Sequence, residues 1–213
     1  SDIRTRLSNL RDRIDSVLES DLFTGFKATS SNESIVTVSA SSAARAGSYT
    51  VKVSQLAQAH TIATWSRLPT DSASDPTEAL GKNGTFQLKV VVDNVDKAAF
   101  DITVDPGDSA YVIRDKINQE VQEWLEGFSD PNTRAEMERY GVRAEVIDGY
   151  LVIARTGTGA GTIEVSDVNG DVAQQIGLIK PDSNDPTIMK ERVLVPGQDA
   201  QFTINGLSIE RPS

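Results

Sequence analysis

The stretch GSYTVKVSQLAQAHTIAT, Gly47 to Thr64, alternates apolar Tyr49, Val51 and Val53 with polar Thr50, Lys52 and Ser54. A period of two sends successive side chains to opposite faces, so this segment predicts a half-buried strand. Upstream, Ile35, Val36 and Val38 sit in a Ser/Thr-rich context and also read as strand. Further back, Phe23 to Asn32 breaks periodicity with Gly25, Ser30, Ser31 and Asn32. Before that break the period changes. Ile3, Leu7, Leu10, Ile14 and Val17 recur at spacings of four and three, with Arg4, Arg6, Arg11, Asp12, Arg13 and Asp15 mostly off the stripe. That is the seam of a coiled coil, and a helix this short needs a partner to be stable in water. It reads either as an amphipathic helix on its own domain or as the end of a longer stalk, and the stalk is the expectation adopted. No initiating Met is present, which leads to the expectation of a piece of a longer protein.

Downstream, Leu68 to Asn83 is polar and contains Pro69, Pro76 and Gly81, which marks a linker. Phe86, Leu88, Val90 and Val92 then alternate, as do Phe100, Ile102 and Val104. After a Pro106-Gly107 turn, Asp108 or Ser109 caps a helix with Ile113, Ile117, Val121, Trp124 and Leu125 on one face. Asp130-Pro131 starts a second short helix ending at Gly141. Val142, Ala144 and Val146 lead through an Asp148-Gly149 hairpin turn to Leu151 and Ile153, and Ile163 and Val165 give one more strand. The order strand, strand, helix, strand, strand predicts an α+β unit with the helix on one face of a single sheet. Pro181 to Pro186 forms a second polar boundary; beyond it lie Val193 and Val195, then Phe202 and Ile204, Asn205-Gly206, Leu207 and Ile209.

The expected fold is therefore α+β and mainly β. Residues 1–28 form the helical stalk end. Residues 29–79 and 184–213 share one discontinuous β-rich domain, into which an α+β domain of residues 80–183 is inserted.

A net charge of −10 over 213 residues argues against nucleic-acid and membrane-surface roles, since anionic partners would be repelled. No apolar run approaches the roughly 20 residues that span a bilayer. With no cysteine, disulfides, thiolate metal sites and a Cys nucleophile are excluded. The single histidine, His60, has no obvious catalytic partner and reads as structural. Gly157, Gly159 and Gly161 lack the Lys and helix start of a phosphate loop and read as a flexible loop. Asp167, Asn169 and Asp171 have calcium-loop spacing, but Val172 stands where the loop needs Gly. Asp93, Asp96, Asp101 and Asp105 read as solvated strand edges and turns rather than paired catalytic carboxylates. Trp65 and Trp124 read as packing rather than sugar platforms. No catalytic residue, metal site or cofactor is expected.

Three stretches carry a family resemblance. Ser30, Ser31 and Asn32, followed by Gly47, Tyr49, Val51, Val53, Leu56 and Ala57, resemble the characteristic opening block of bacterial flagellar filament cap proteins, the FliD-type hook-associated family. Ile113, Ile117 and Asn118, with the hairpin Val142 to Ile153, resemble the "IN" motif of flagellins and hook proteins. Pro196 to Ser213 resembles the segment that returns from head to stalk. The insert between Asn118 and Val142 is longer than the family pattern. The resemblance implies a helical leg with two β-rich heads and a non-catalytic structural role at the filament tip, promoting flagellin folding and polymerisation. Implied partners are flagellin, further copies in a ring and hook-associated junction proteins. The location implied is the extracellular flagellum, reached by type III export without a cleaved signal peptide. Ile3, Leu7, Leu10, Ile14 and Val17 are the expected stalk-packing residues. A hook-type or hook–filament junction subunit, and an adhesin or glycan-binding module, remain alternatives.

Overall fold

In the computed structural model the described residues are 27–41, 43–69 and 75–212. The chain divides into two compact units, Ser1–Tyr49 and Thr50–Ser213. The expected stalk helix falls outside the described residues except for Lys27 and Ala28, which are irregular.

Within the first unit Asn32 organises a turn. Its side-chain Oδ1 accepts from the Ser34 N–H at 3.1 Å, and its carbonyl accepts from the N–H groups of Ile35 and Val36. Those donors are then lost to any ladder, and the expected strand at Ile35, Val36 and Val38 is turn and coil instead.

Among the described residues the second unit holds eleven strands and three helices. β1 (Val51–Gln55), β10 (Ala200–Ile204) and β11 (Leu207–Arg211) form one antiparallel sheet in the order β1-β10-β11. A second sheet is ordered β4-β3-β7, from β3 (Gly84–Val92), β4 (Val95–Val104) and β7 (Thr162–Asn169). The third is ordered β5-β6-β2-β9-β8, from β2 (Thr61–Ala63), β5 (Val142–Ile147), β6 (Tyr150–Arg155), β8 (Ile179–Pro181) and β9 (Met189–Val195). The helices are α1 (Ala110–Glu126), α2 (Pro131–Glu138) and the single-turn α3 (Val172–Gln175).

Three hairpins turn on two residues at positive φ: Asp93-Asn94, Asp148-Gly149 and Asn205-Gly206. Such turns match the right-handed twist of the strands they join. The expected single sheet under one helix is two sheets. Strands β3 and β4 pair with β7, whereas β5 and β6 pair with β2. Helix α1 lies against β4 of one sheet and against β5 and β6 of the other. Ala110, Ile113, Ile117 and Val121, at helical spacing, enter the same core as Phe86, Leu88, Phe100, Ile102, Leu151, Ile153 and Ile163. Trp124 closes the end of that core, edge-on to Phe100 at 5.4 Å and to Phe128 at 5.2 Å.

The sheets run across both boundaries expected from sequence. β2 and β9, assigned there to the outer domain of residues 29–79 and 184–213, are hydrogen-bonded to each other, and β2 pairs with β6 of the expected insert. The reason is burial: Ile62 is fully enclosed in the α1 core. The first expected boundary falls between β2 and β3, which belong to different sheets, whereas the second falls between β8 and β9 of one sheet. By contrast, β1, β10 and β11 pair only with one another, joining Val51 and Val53 to Ile204 and Phe202.

Core and sheet surface should respond differently to truncation. Ile117→Ala, at a fully buried position, should cost about 2–5 kcal/mol in urea unfolding. Leu207→Ser, at a residue 70% exposed, should stay within about 0.5 kcal/mol.

Candidate functional site

Asn118 follows the core residue Ile117 and therefore emerges at the margin of α1, beside β5, the outermost strand of its sheet. Its Oδ1 accepts from the Ala144 N–H at 2.9 Å, and its Nδ2 donates to the Ala144 carbonyl at 2.9 Å. The side-chain amide thus presents to the strand the same donor–acceptor pair that a neighbouring strand would offer. Ile117 fixes the helix by packing; Asn118 fixes its register against β5 by hydrogen bonding. Occupying an edge in this way also obstructs pairing with another chain. An open cleft of about 370 Å³ lies alongside, lined by Arg114, Asn118 and Arg143–Val146.

The motif residues of the first block form no comparable cluster. Gly47 and Tyr49 belong to the first unit, where Tyr49 is exposed. Val51 is exposed and Val53 half-buried on β1; Leu56 is 69% exposed and Ala57 half-buried in the segment after it. Their strand partners extend one apolar face: Val51, Val53, Phe202, Ile204, Leu207 and Ile209 lie on the same side of the three-stranded sheet, and none is buried. Ile3, Leu7, Leu10, Ile14 and Val17 lie outside the described residues.

The segment after β1 forms a junction that the motif reading did not anticipate. Gln58 and Gln198 bridge through both backbone amides, at 2.8 and 3.2 Å, and the Gln58 carbonyl also accepts from the Gly159 N–H at 3.1 Å. Asp199 accepts from the Ala160 N–H at 2.6 Å through Oδ1, and its carbonyl accepts from the Gln55 side chain. Thr158 Oγ1 donates to the Pro212 carbonyl at 2.6 Å. The Gly157–Gly161 run, expected to be a flexible loop, is instead where backbones meet. A Cβ on Gly157 would strike the Arg139 carbonyl, and one on Gly161 the Arg155 guanidinium. Gly159 adopts φ +105° with Pro212 and Asp199 directly against it. Glycine is required here by close approach as well as by conformation.

Beneath this loop His60 and Arg155 are both 5% exposed. His60 Nδ1 accepts from the Ile163 N–H at 3.0 Å, and its carbonyl accepts from the Arg155 N–H. Burial first, and the Arg155 charge second, hold its pKa below the ordinary value. Arg155 donates through Nη1 to the Gly159 carbonyl at 3.1 Å, while its buried Nε lacks a partner among the described residues. Burial also lowers the Arg155 pKa, followed by the neighbouring Arg139 charge. An arginine on the core phase of β6, after Leu151 and Ile153, was the available sequence signal for this junction.

The remaining candidates are engaged locally. Asp167 accepts from the Ala173 N–H at 2.7 Å and Asp171 from the Gln175 side chain, so both serve α3. Asp96 pairs with Lys89 at 3.0 Å, and Asp101 accepts from Gln87 at 2.8 Å. Asp105 and Asp108 both hold Lys116, which also donates to the Thr103 carbonyl; together they fasten the start of α1 to the end of β4. Asp93 occupies a hairpin turn. Trp65 is 37% exposed, with the Lys180 ammonium over its ring at 3.4 Å. Asn118→Ala should cost about 1–3 kcal/mol in urea unfolding, the range for leaving buried backbone groups unpartnered. Asn118→Asp, which retains the acceptor but loses the donor, should be no less harmful.

The fold has counterparts among solved structures. The crystal structure of the D1-D2-D3 domains of the flagellar cap protein FliD from Escherichia coli is 28% identical, with a TM-score of 0.51, covering 80% of this chain and 42% of that one. The D2-D3 domains of the Serratia marcescens cap protein are 26% identical, with a TM-score of 0.53 and 80% of each chain covered. FliD (HAP2) of Pseudomonas aeruginosa PAO1 is 26% identical, with a TM-score of 0.51, covering 80% of this chain and 69% of that one. The chain thus spans less than half the length of the E. coli D1-D2-D3 structure. No curated protein matches it. Residues 1–60 match the family model described as flagellar hook-associated protein 2 N-terminus. The N-terminal match and the shared fold are thus both likenesses to flagellar cap proteins.

Proposed function

We propose that this chain is head and leg-end material of a structural cap at the distal tip of a bacterial flagellar filament. In this reading it guides exported flagellin into the growing filament, assembles as a ring of identical copies, and adjoins the hook-associated junction proteins. It reaches the exterior by flagellar export without a cleaved signal peptide. The observation that carries the reading is the coincidence of the cap-family match at residues 1–60 with the D2-D3 likeness over most of the remaining chain.

The residue chemistry supports a structural role. Nδ1 of the single histidine is committed to a backbone N–H, and the acidic residues weighed as candidate sites cap turns, pair with lysines or hold a helix start. The sheet β1-β10-β11 is assigned to the first head domain, since it gathers both ends of the second unit. The sheets around α1 form the inserted head. Ile3, Leu7, Leu10, Ile14 and Val17 are assigned to packing within the leg.

Disruption of the gene encoding this chain should give cells that shed unpolymerised flagellin into the medium, and immunogold against the chain should label filament tips. Label confined to the hook, with filaments of normal length, would overturn the cap reading in favour of a junction subunit. Replacing Leu7 and Leu10 by Asp in that gene should abolish swarming, while the melting temperature of the 213-residue chain should barely change. Normal swarming would remove the stripe from the assembly.

A further inference from the structure

His60 occupies the connection between β1 and β2, two residues after Gln58. Through Gln58 that connection is bonded to Gln198, which precedes β10, and to Gly159 of the glycine-rich loop. Through the imidazole it is bonded to Ile163 of β7. One short segment therefore ties the β1-β10-β11 sheet to both sheets around α1. We propose that His60 is a proton-operated latch: the neutral imidazole holds this segment on β7, and its protonation frees Ile163 and loosens the β1-β10-β11 sheet from the Gly157–Gly161 loop.

The geometry gives the direction. Nδ1 must be unprotonated to accept from the Ile163 N–H, so the proton of the neutral ring is on Nε2. Adding a proton turns Nδ1 into a donor that faces another donor. It also creates a cation beside the Arg155 guanidinium, the charged group that acts on His60. Arg155 itself stands near Arg139, Tyr140 and Asp199. The nearby carboxylates of β7 and β9 are engaged elsewhere: Glu164 lies by Lys89, Asp167 holds Ala173, and Glu191 accepts from the Val165 N–H. Asp199 is committed to the Ala160 N–H. None of these neutralises a protonated His60.

Burial and Arg155 keep the folded pKa of His60 below the ordinary 6.5. Between those two values the unfolded chain binds more protons than the folded one, so stability is full above the ordinary value and falls as pH drops below it. Each unit of separation changes the folding equilibrium tenfold.

Because the sequence contains one histidine, an NMR titration of the chain reads this group alone, from about pH 7.5 to about pH 4.5. The imidazole should titrate below its ordinary value. The Ile163, Gly159 and Ala160 amides should shift with the same midpoint, and the urea midpoint should fall across the same window. His60→Asn places an amide oxygen near the position of Nδ1 without a titrating group; it should keep the neutral-pH urea midpoint and lose the fall. An imidazole titrating at or above its ordinary value, or loop amides that ignore it, would overturn the latch. So would an unchanged pH dependence in His60→Asn. If that variant fails to fold, the wild-type titration decides.

Discussion

The apolar face of α1 is the constraint on which the second unit depends. One sheet ends at β4 and the other at β5, and the helix lies against both strands. Ile113, Ile117 and Val121 fill the space between them. Each such side chain contributes roughly 1.5–3 kcal/mol on burial, against a net stability of about 5–15 kcal/mol for an ordinary domain. Losing this face would therefore consume much of the margin. Its position is fixed at the start of the helix and toward both sheets. Ser109 accepts from the Val112 N–H, and Lys116 gathers Asp105, Asp108 and the Thr103 carbonyl at the β4 end. Asn118 clamps Ala144 on β5. Packing supplies the energy, and these polar contacts select one register among those that packing would tolerate.

The β1-β10-β11 sheet is held differently. Its apolar face contains no buried residue, so the α1 core does not stabilise it directly. It is fastened at its ends, through Gln58 with Gln198, Asp199 with Ala160 and Thr158 with Pro212. Glycines let the backbones approach closely enough for those bonds to form. A sheet attached mainly by polar contacts and backbone bridges has a lower local opening cost than one wrapped around a core. That difference makes the His60 segment consequential, because it belongs to the fastening that joins the β1-β10-β11 sheet to the α1 core.

Much of this was legible in the sequence, for physical reasons that differ by element. Strict alternation in Phe86–Val92 and Phe100–Val104 located β3 and β4, and the spacing of four between Ile113, Ile117 and Val121 located α1 with its inward face. Asp148-Gly149 and Asn205-Gly206 gave two hairpins; the third, Asp93-Asn94, lacks a glycine and was missed. β2 is three residues long, too short to carry a period, so its place between β6 and β9 could not be read. Ile35–Val38 had strand-forming composition, but Asn32 claims the local amides. Of the candidate site residues, Asn118 could be named from its motif, but its bonds to Ala144 depend on two segments 26 positions apart. Arg155 signalled itself only as a charge on a core phase. The functional reading came from family likeness and not from site chemistry, because these residues are spent on holding the fold.

Amide hydrogen exchange, followed residue by residue near neutral pH, tests the division between a single α1 core and a fastened sheet most directly. Amides of β3, β6 and α1 should exchange only by global unfolding and share one protection level. Those of β1, β10 and β11 should exchange through a cheaper opening, at least about tenfold faster. Equal protection across all three sheets would contradict that division and would mean that the three-stranded sheet is part of the same cooperative core.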